Sequence, residues 1–353
     1  MPISTQTTES GPTGPGSTSE SGQKPPQSPA SRQKKAVVRP GDRIFSAATL
    51  IVRPGDRIFS AATLIAGILI LVILAGVALF LLAQSKDTIA AQISDPSQIT
   101  GGKGFFSYVW PLVIGTLISA AIALLVATPF ALGIALFTTH MAPRRLAPML
   151  GYVIDLLAAI PSVVYGLWGI ALAGNLTGFY LWLSTWFGWI PIFAPGADGS
   201  VSQTGRTMLT ASLVLSIMIL PIITSLTREI FLQTPRLQEE AALALGATRW
   251  EMIRMAVLPF GKSGIVSATM LGLGRALGET MAVAMILSPG VLTASLVVSG
   301  NQTIASEIAQ NFPEAAGLRL SELITVGLVL FVITLLVNMG ARAIVARTSV
   351  KGS

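Results

Sequence analysis

The chain has 353 residues, of which 52% are hydrophobic and 11% charged, and its mean hydropathy is +0.71. Soluble domains carry about 25% charged residues, so the composition is that of a membrane protein. The absence of cysteine excludes disulfides and thiolate chemistry, and a single histidine, His140, excludes a histidine-based metal cluster.

Residues 1–37 are rich in Ser, Thr, Pro, Gly and Gln. They cannot bury enough apolar area to offset their ordering entropy, and they read as disordered. They do not read as a secretory signal, whose apolar run lies close to the N-terminus. The 14-residue segment VRPGDRIFSAATLI stands at Val38–Ile51 and again, unchanged, at Val52–Ile65. Repeat families diverge and have periods of about 20–50 residues, so this is a local duplication. Only the second copy leads into a long apolar run. Residues 1–57 are therefore expected to form a basic cytoplasmic tail, 58–345 a membrane domain, and 346–353 a short C-terminal tail.

Six apolar segments are long enough to cross a bilayer, which takes about 20 helical residues. They are Ile58–Ala83, Val109–Phe137, Leu150–Ala173, Thr207–Thr227, Gly264–Ser288 and Leu323–Ala341. No strand alternation is present, so the expected fold is all-α and polytopic. Lys and Arg concentrate on one face. The N-terminal tail, the 138–149 and 228–262 loops and the C-terminal tail hold 18 of the 23 basic residues. Both termini and the 228–262 loop are thus expected to be cytoplasmic. The net charge of +7 is a topology signal, and nucleic acid is not an expected partner. The opposite connection, Gly174–Arg206, carries Phe179, Tyr180, Trp182, Trp186, Phe187, Trp189 and Phe193. It reads either as an interfacial aromatic belt or as a gate.

The 228–262 loop has its own helix signals. Thr234 followed by Pro235 suggests a helix start, and Gly246 a left-handed stop. Thr248 with Glu251 forms a capping box for a second short helix, which Pro259 is expected to end. Such a bent, polar elbow suits docking of a cytoplasmic partner. Gly261-Lys262-Ser263 resembles the end of a phosphate-binding loop. The glycine required five residues before Gly261 is Ala256, and no strand precedes it. Nucleotide hydrolysis therefore belongs on another chain.

Arg275 and Glu279 lie in the fifth segment, where each costs roughly 2.5–3.5 kcal/mol on insertion scales. Four apart on one helix, they would share a face and recover only about 0.2–0.5 kcal/mol. They must face the bundle interior, a partner subunit or a water-filled cavity. Two readings remain, an interhelical ion pair and an anion path in which Arg275 meets the substrate and Glu279 orients or gates it. Gly272, Gly274 and Gly278 offer small faces for close helix contact. Asp155, near the end of the third segment, suits a snorkelling role as well as a transport role. Tyr165-Gly166-Leu167-Trp168-Gly169 reads as a packing kink.

Glu240-Ala241-Ala242, Gly246 and Leu258-Pro259 resemble the EAA motif (E-A-A-x3-G-x9-I-x-L-P) of bacterial ABC importer permeases, with Ala256 in place of Ile. GRALGETMAV at Gly274–Val283, AAIPSVVYGLWG at Ala158–Gly169 and TIASEIAQNF at Thr303–Phe312 are similar to the PstC-type subunit of the phosphate-specific importer. The resemblance covers roughly residues 58–345. It implies a type I ABC importer permease fold of six transmembrane helices in the bacterial cytoplasmic membrane. It also implies a PstA-type sibling permease, two PstB-type ATPase subunits and an extracytoplasmic phosphate-binding protein. ATP and Mg would then sit on the ATPase, with no cofactor on this chain, which is not itself an enzyme. The EAA elbow would dock in the ATPase, and Arg275 and Glu279 would act in transport of inorganic phosphate. Alternatives are another oxyanion such as molybdate or sulfate, a phosphate-signalling scaffold, and a secondary transporter, which would leave the capped elbow without a purpose.

Overall fold

The computed structural model describes residues 54–349, apart from 101, 103, 197 and 290–292. The N-terminal tail and the first copy of the duplicated segment lie outside the described residues. The chain divides into two units, Met1–Gly67 and Ile68–Ser353. Of the first, only the opening of helix α1 is described, and all the other described elements belong to the second.

The described residues are mostly helical, with one isolated bridge between Pro289 and Gly300. Helix α1 (Pro54–Gln84) is apolar all round, as a membrane-embedded helix is. Short α2 (Lys86–Ser94) follows, and Asp95 closes a 3-10 turn by accepting from the N–H and hydroxyl of Ser97. These two bonds hold its carboxyl below the ordinary range. Helix α3 (Phe105–Leu136) runs into a π-helical turn at Phe137–Met141. Helices α4 (Leu146–Ala158), α5 (Ser162–Phe187) and α6 (Met208–Leu232) come next.

The core lies along α6, which buries Met208, Leu215, Met218, Ile219 and Ile223. Against it α3 lays Ala120, Ala123, Ala127 and Ala131, each at most 1% exposed. Lipid tails are as apolar as leucine, so helix association in a bilayer rests on van der Waals contact, and small residues bring backbones close. The alanine ridge meets that need.

Among the described residues, six helices are long and apolar enough to span a membrane. Their number agrees with the sequence, but two of their boundaries do not. The expected third span, Leu150–Ala173, is broken. Pro161 disfavours helical geometry at Ile160 and offers no N–H, so α4 stops at Ala158 and α5 starts at Ser162. The spanning helix is α5, which takes in Phe179, Tyr180, Trp182, Trp186 and Phe187 from the stretch expected to be a connection. Asp155 is exposed on the shorter α4. The hydroxyl of Tyr165 donates to Leu157 O at 3.0 Å and stitches the break.

The expected fifth span, Gly264–Ser288, is also broken. Helix α7 (Arg236–Ala244) and one-turn α8 (Arg249–Met252) lead through a second π-helical turn, Ile253–Val257, into α9 (Leu258–Gly278). Pro259 therefore does not end a helix. The π turn widens the backbone just before it, which accommodates a residue that lacks an N–H. After Gly278 the chain leaves helical geometry, and α10 (Met281–Ile286) starts afresh. Helix α11 (Ile304–Asn311) and the long α12 (Leu318–Ser349) complete the chain. Residues 346–349, expected in a tail, continue α12.

Candidate functional site

Arg275 and Glu279 are on opposite sides of the α9–α10 break and do not share a helix face. The expected i,i+4 arrangement fails because Glu279 takes an extended conformation, φ −71° and ψ 120°. Its side chain is 9% exposed, and Oε1 accepts from the N–H of Ala282 at 3.2 Å. The carboxylate thus satisfies one of the orphan donors that begin α10. Arg275 is exposed, with no carboxylate at ion-pair distance among the described residues, and lies within electrostatic reach of Tyr165. Ser263, Ser267, Leu271 and Gly278 are exposed on the same helix. Their spacing from Arg275 puts them on one stripe.

Of the three glycines expected to give close contacts, only Gly272 does so within the chain. An added Cβ there would stand 2.7 Å from Ile223 Cδ1, whereas Gly274 and Gly278 face open space. Gly166 and Gly169 bring α5 onto α10. A Cβ on Gly166 would come 3.0 Å from Ala282 Cα, and one on Gly169 2.6 Å from Ile286 Cδ1. The packing expected of this segment is present, and its partner is the six-residue helix after the break.

At the far end of α10 stands Arg206, which the sequence marked only as an outer charge. Its Nη2 donates to Met285 O at 2.8 Å and Leu287 O at 3.4 Å, and its Nε to Ile286 O at 3.1 Å. Gln310 Nε2 donates to Ala284 O at 2.8 Å and Leu287 O at 3.3 Å. Irregular backbone survives at membrane depth only where protein satisfies its polar groups. An acid at the start of α10 and a base at its end also match the helix dipole. Gln310 lies in TIASEIAQNF, but nothing local in that string points to α10.

A second cluster, of which the sequence motifs include only Glu307 within TIASEIAQNF, joins α3, α11 and α12. Arg319 Nη2 lies 2.6 Å from Glu307 Oε1, and its Nη1 3.1 Å from Glu322 Oε2. The Tyr108 hydroxyl donates to Glu307 Oε1 at 2.7 Å and accepts from Arg319 Nη1 at 2.9 Å. The Thr100 hydroxyl and N–H donate to Glu322 at 2.7 and 3.1 Å. Glu307 and Glu322 are 5% and 1% exposed, so Arg319 is the counter-charge that permits both to stay buried.

The elbow matches its sequence signals in most respects. Gly246 has φ +87°, the left-handed stop that glycine adopts freely. Both halves of the Thr248–Glu251 capping box are formed. Thr234 is not the cap expected. Helix α7 starts one residue later, after Pro235, and Thr234 Oγ1 is buried without a partner. Glu240 and Ala241 are exposed, Ala242 and Leu258 half-buried, and Pro259 exposed. Met252, Ile253 and Val257 anchor the elbow on Ala135 and Phe231. Among the described residues, no group of three or more acidic or histidine side chains could hold a metal ion.

Residues 127–350 match the family described as binding-protein-dependent transport system inner membrane component. The phosphate transport system permease protein PstC 2 of Mycobacterium tuberculosis is 46% identical over 297 residues, 79% of this chain and 88% of that protein. The phosphate transport system permease protein PstC of Pasteurella multocida is 42% identical over 241 residues, 68% of this chain and 75% of that protein. A bacterial ABC transporter involved in import of the acidic polysaccharide alginate has the same fold. That crystal structure matches with a TM-score of 0.54 at 16% identity, covering 86% of this chain and 99% of its own. The chain belongs to the inner-membrane components of binding-protein-dependent transport systems, and among them to the PstC-type permeases. It is a multi-pass transporter subunit of ABC importer permease fold.

Proposed function

We propose that this subunit carries inorganic phosphate across the bacterial cytoplasmic membrane by alternating access, driven by ATP hydrolysis on a partner chain. The observation that carries the reading is the 46% identity, over most of both chains, to a protein named as a phosphate transport permease. The site supports it. Arg275 is an exposed cation in the last turn of α9, on an open stripe beside a helix break and without an ion-pair partner among the described residues, and a cation so placed in a membrane span calls for an anionic partner. Broken helices with satisfied ends are a recurrent setting for substrate sites in transporters. Arg275 is assigned to the phosphate path, and Glu279 to orienting it by holding α10.

Glu240, Ala241, Ala242, Gly246, Leu258 and Pro259 are assigned to the elbow that docks the ATPase, which places that elbow and both termini in the cytoplasm. The assembly would contain a PstA-type sibling permease, two PstB-type ATPases carrying ATP and Mg, and a phosphate-binding protein outside. Labelled-phosphate uptake in vesicles holding all four components tests the reading. Arg275→Gln is expected to abolish uptake, and excess molybdate or sulfate to leave wild-type uptake unchanged. Competition by either oxyanion would reassign the substrate, and uptake without ATP would sink the importer reading.

A further inference from the structure

The one histidine of the chain sits where the elbow meets the membrane bundle. His140 lies in the π-helical turn that ends α3, with its side chain 9% exposed. Its Nε2 is 3.3 Å from Oε1 of Glu239, the residue before the EAA glutamate on α7. An ionised glutamate only accepts, so the shared proton belongs to Nε2. The ring is held from two other sides. Thr139 Oγ1 lies 2.6 Å from Nδ1, and the Phe231 ring packs against it with centroids 6.4 Å apart at 70°.

Helix α7 has little else to hold it. None of its residues is buried, and Ala242 alone among them packs on the cluster of Ala135, Phe231, Met252, Ile253 and Val257. Among the described residues, the Glu239–His140 bridge is the single side-chain hydrogen bond from α7 to the membrane helices. Helix α7 also packs on the π turn Ile253–Val257, and the bridge adds a direct polar link from α7 to the end of α3. The bridge ends on α3, whose 32 residues rise about 48 Å along the helix, with Pro111 and Pro129 inside it. At its other end α3 carries Tyr108, bonded to Glu307 and Arg319. Both π-helical turns, Phe137–Met141 and Ile253–Val257, border the same contact, and such turns gather at functional sites.

We propose that the His140–Glu239 bridge is the strut through which movement of the elbow reaches α3, which makes both side chains positioning residues for transport. The inference rests on the reading of the elbow as the ATPase dock. Its test is the amount of ATP hydrolysed per phosphate imported, measured in vesicles holding the complete importer. His140→Leu is expected to raise that ratio about five-fold or more, the lower end of ordinary coupling between sites. His140→Gln keeps an N–H donor and is expected to restore most of the coupling. So is the exchanged pair, His140→Glu with Glu239→His. Glu239→Leu, at the less buried end of the bridge, takes the place of His140→Leu should that chain fail to assemble. Gly246→Trp reads the elbow separately. An unchanged ratio in the bridge variants, with Gly246→Trp uncoupled, would overturn the strut and leave the elbow reading standing. An unchanged ratio in all of them would overturn the elbow reading.

Discussion

The elbow and the α9–α10 break are consecutive in the chain and are built on opposite plans. The elbow's turns are closed by neighbours in sequence, with Thr248 bonded to Glu251 and the turn made at Gly246, while its packing on Ala135 and Phe231 and the His140–Glu239 bridge tie it to the bundle. Water can satisfy whatever these leave open. The break itself is closed locally by Glu279 on the Ala282 N–H, but the far end of α10 is held from afar, with Arg206 about eighty positions from the carbonyls it serves and Gln310 more than twenty. Within a bilayer the carbonyls at the end of α10 need protein partners, and Arg206 and Gln310 supply them. An elbow proposed to dock another chain can rely on local caps for its turns. A helix break inside a membrane needs bonds that fix it to the whole bundle.

The largest effect is expected at the second long-range cluster. Arg319→Ala leaves Glu307 and Glu322 buried without their counter-charge, and removal of one partner from such a network costs about 3–5 kcal/mol. Thermal unfolding of the detergent-solubilised subunit should show a large drop in Tm, and uptake should be lost with it. A Tm equal to wild type would mean that the far end is not a single cooperative unit.

A smaller loss is expected at the break. Arg206→Ala strips the carbonyls of Met285 and Ile286, and an unsatisfied buried group costs about 1–3 kcal/mol. Amide exchange should speed up in α10 and along α5, where Gly166 and Gly169 pack on it. Arg206→Lys should recover part of the loss. Faster exchange at the elbow instead would contradict the two plans.

The smallest effect sharpens the other side. Thr248→Ala removes a cap worth about 1 kcal/mol, and because that cap is local the global Tm should stay within error. Exchange should quicken in α8 alone. Loss of protection in α6 or α9 would show that the elbow is stitched to the core more tightly than its side-chain bonds indicate.

Much of this molecule could be read from the sequence because its signals are short-range or statistical. Apolar runs longer than a bilayer is thick give the number of spans, though not every boundary. The caps at Gly246, Thr248 and Glu251 depend on residues within a few positions. The cost of placing Arg275 and Glu279 in a membrane follows from their charges alone. Sequence patterns misled where local competition decides continuity. Proline at 161 ended a span that hydropathy carried on, and proline at 259 was absorbed by a π turn that hydropathy does not see. The shared face of Arg275 and Glu279 failed because the carboxylate found an N–H to accept from and the helix stopped at Gly278.

The sequence by itself determined that the chain is an all-α membrane protein, how many times it can cross, where its elbow turns, and which two charges require an explanation. Only the tertiary structure decided what those charges meet. It brought Arg206 and Gln310 to α10, Arg319 between Glu307 and Glu322, and His140 against Glu239. Hydrophobic length and helix caps are properties of a segment. The partner of a buried charge is a property of the packed bundle, because a side chain pairs with whatever the helices place within about 3 Å of it.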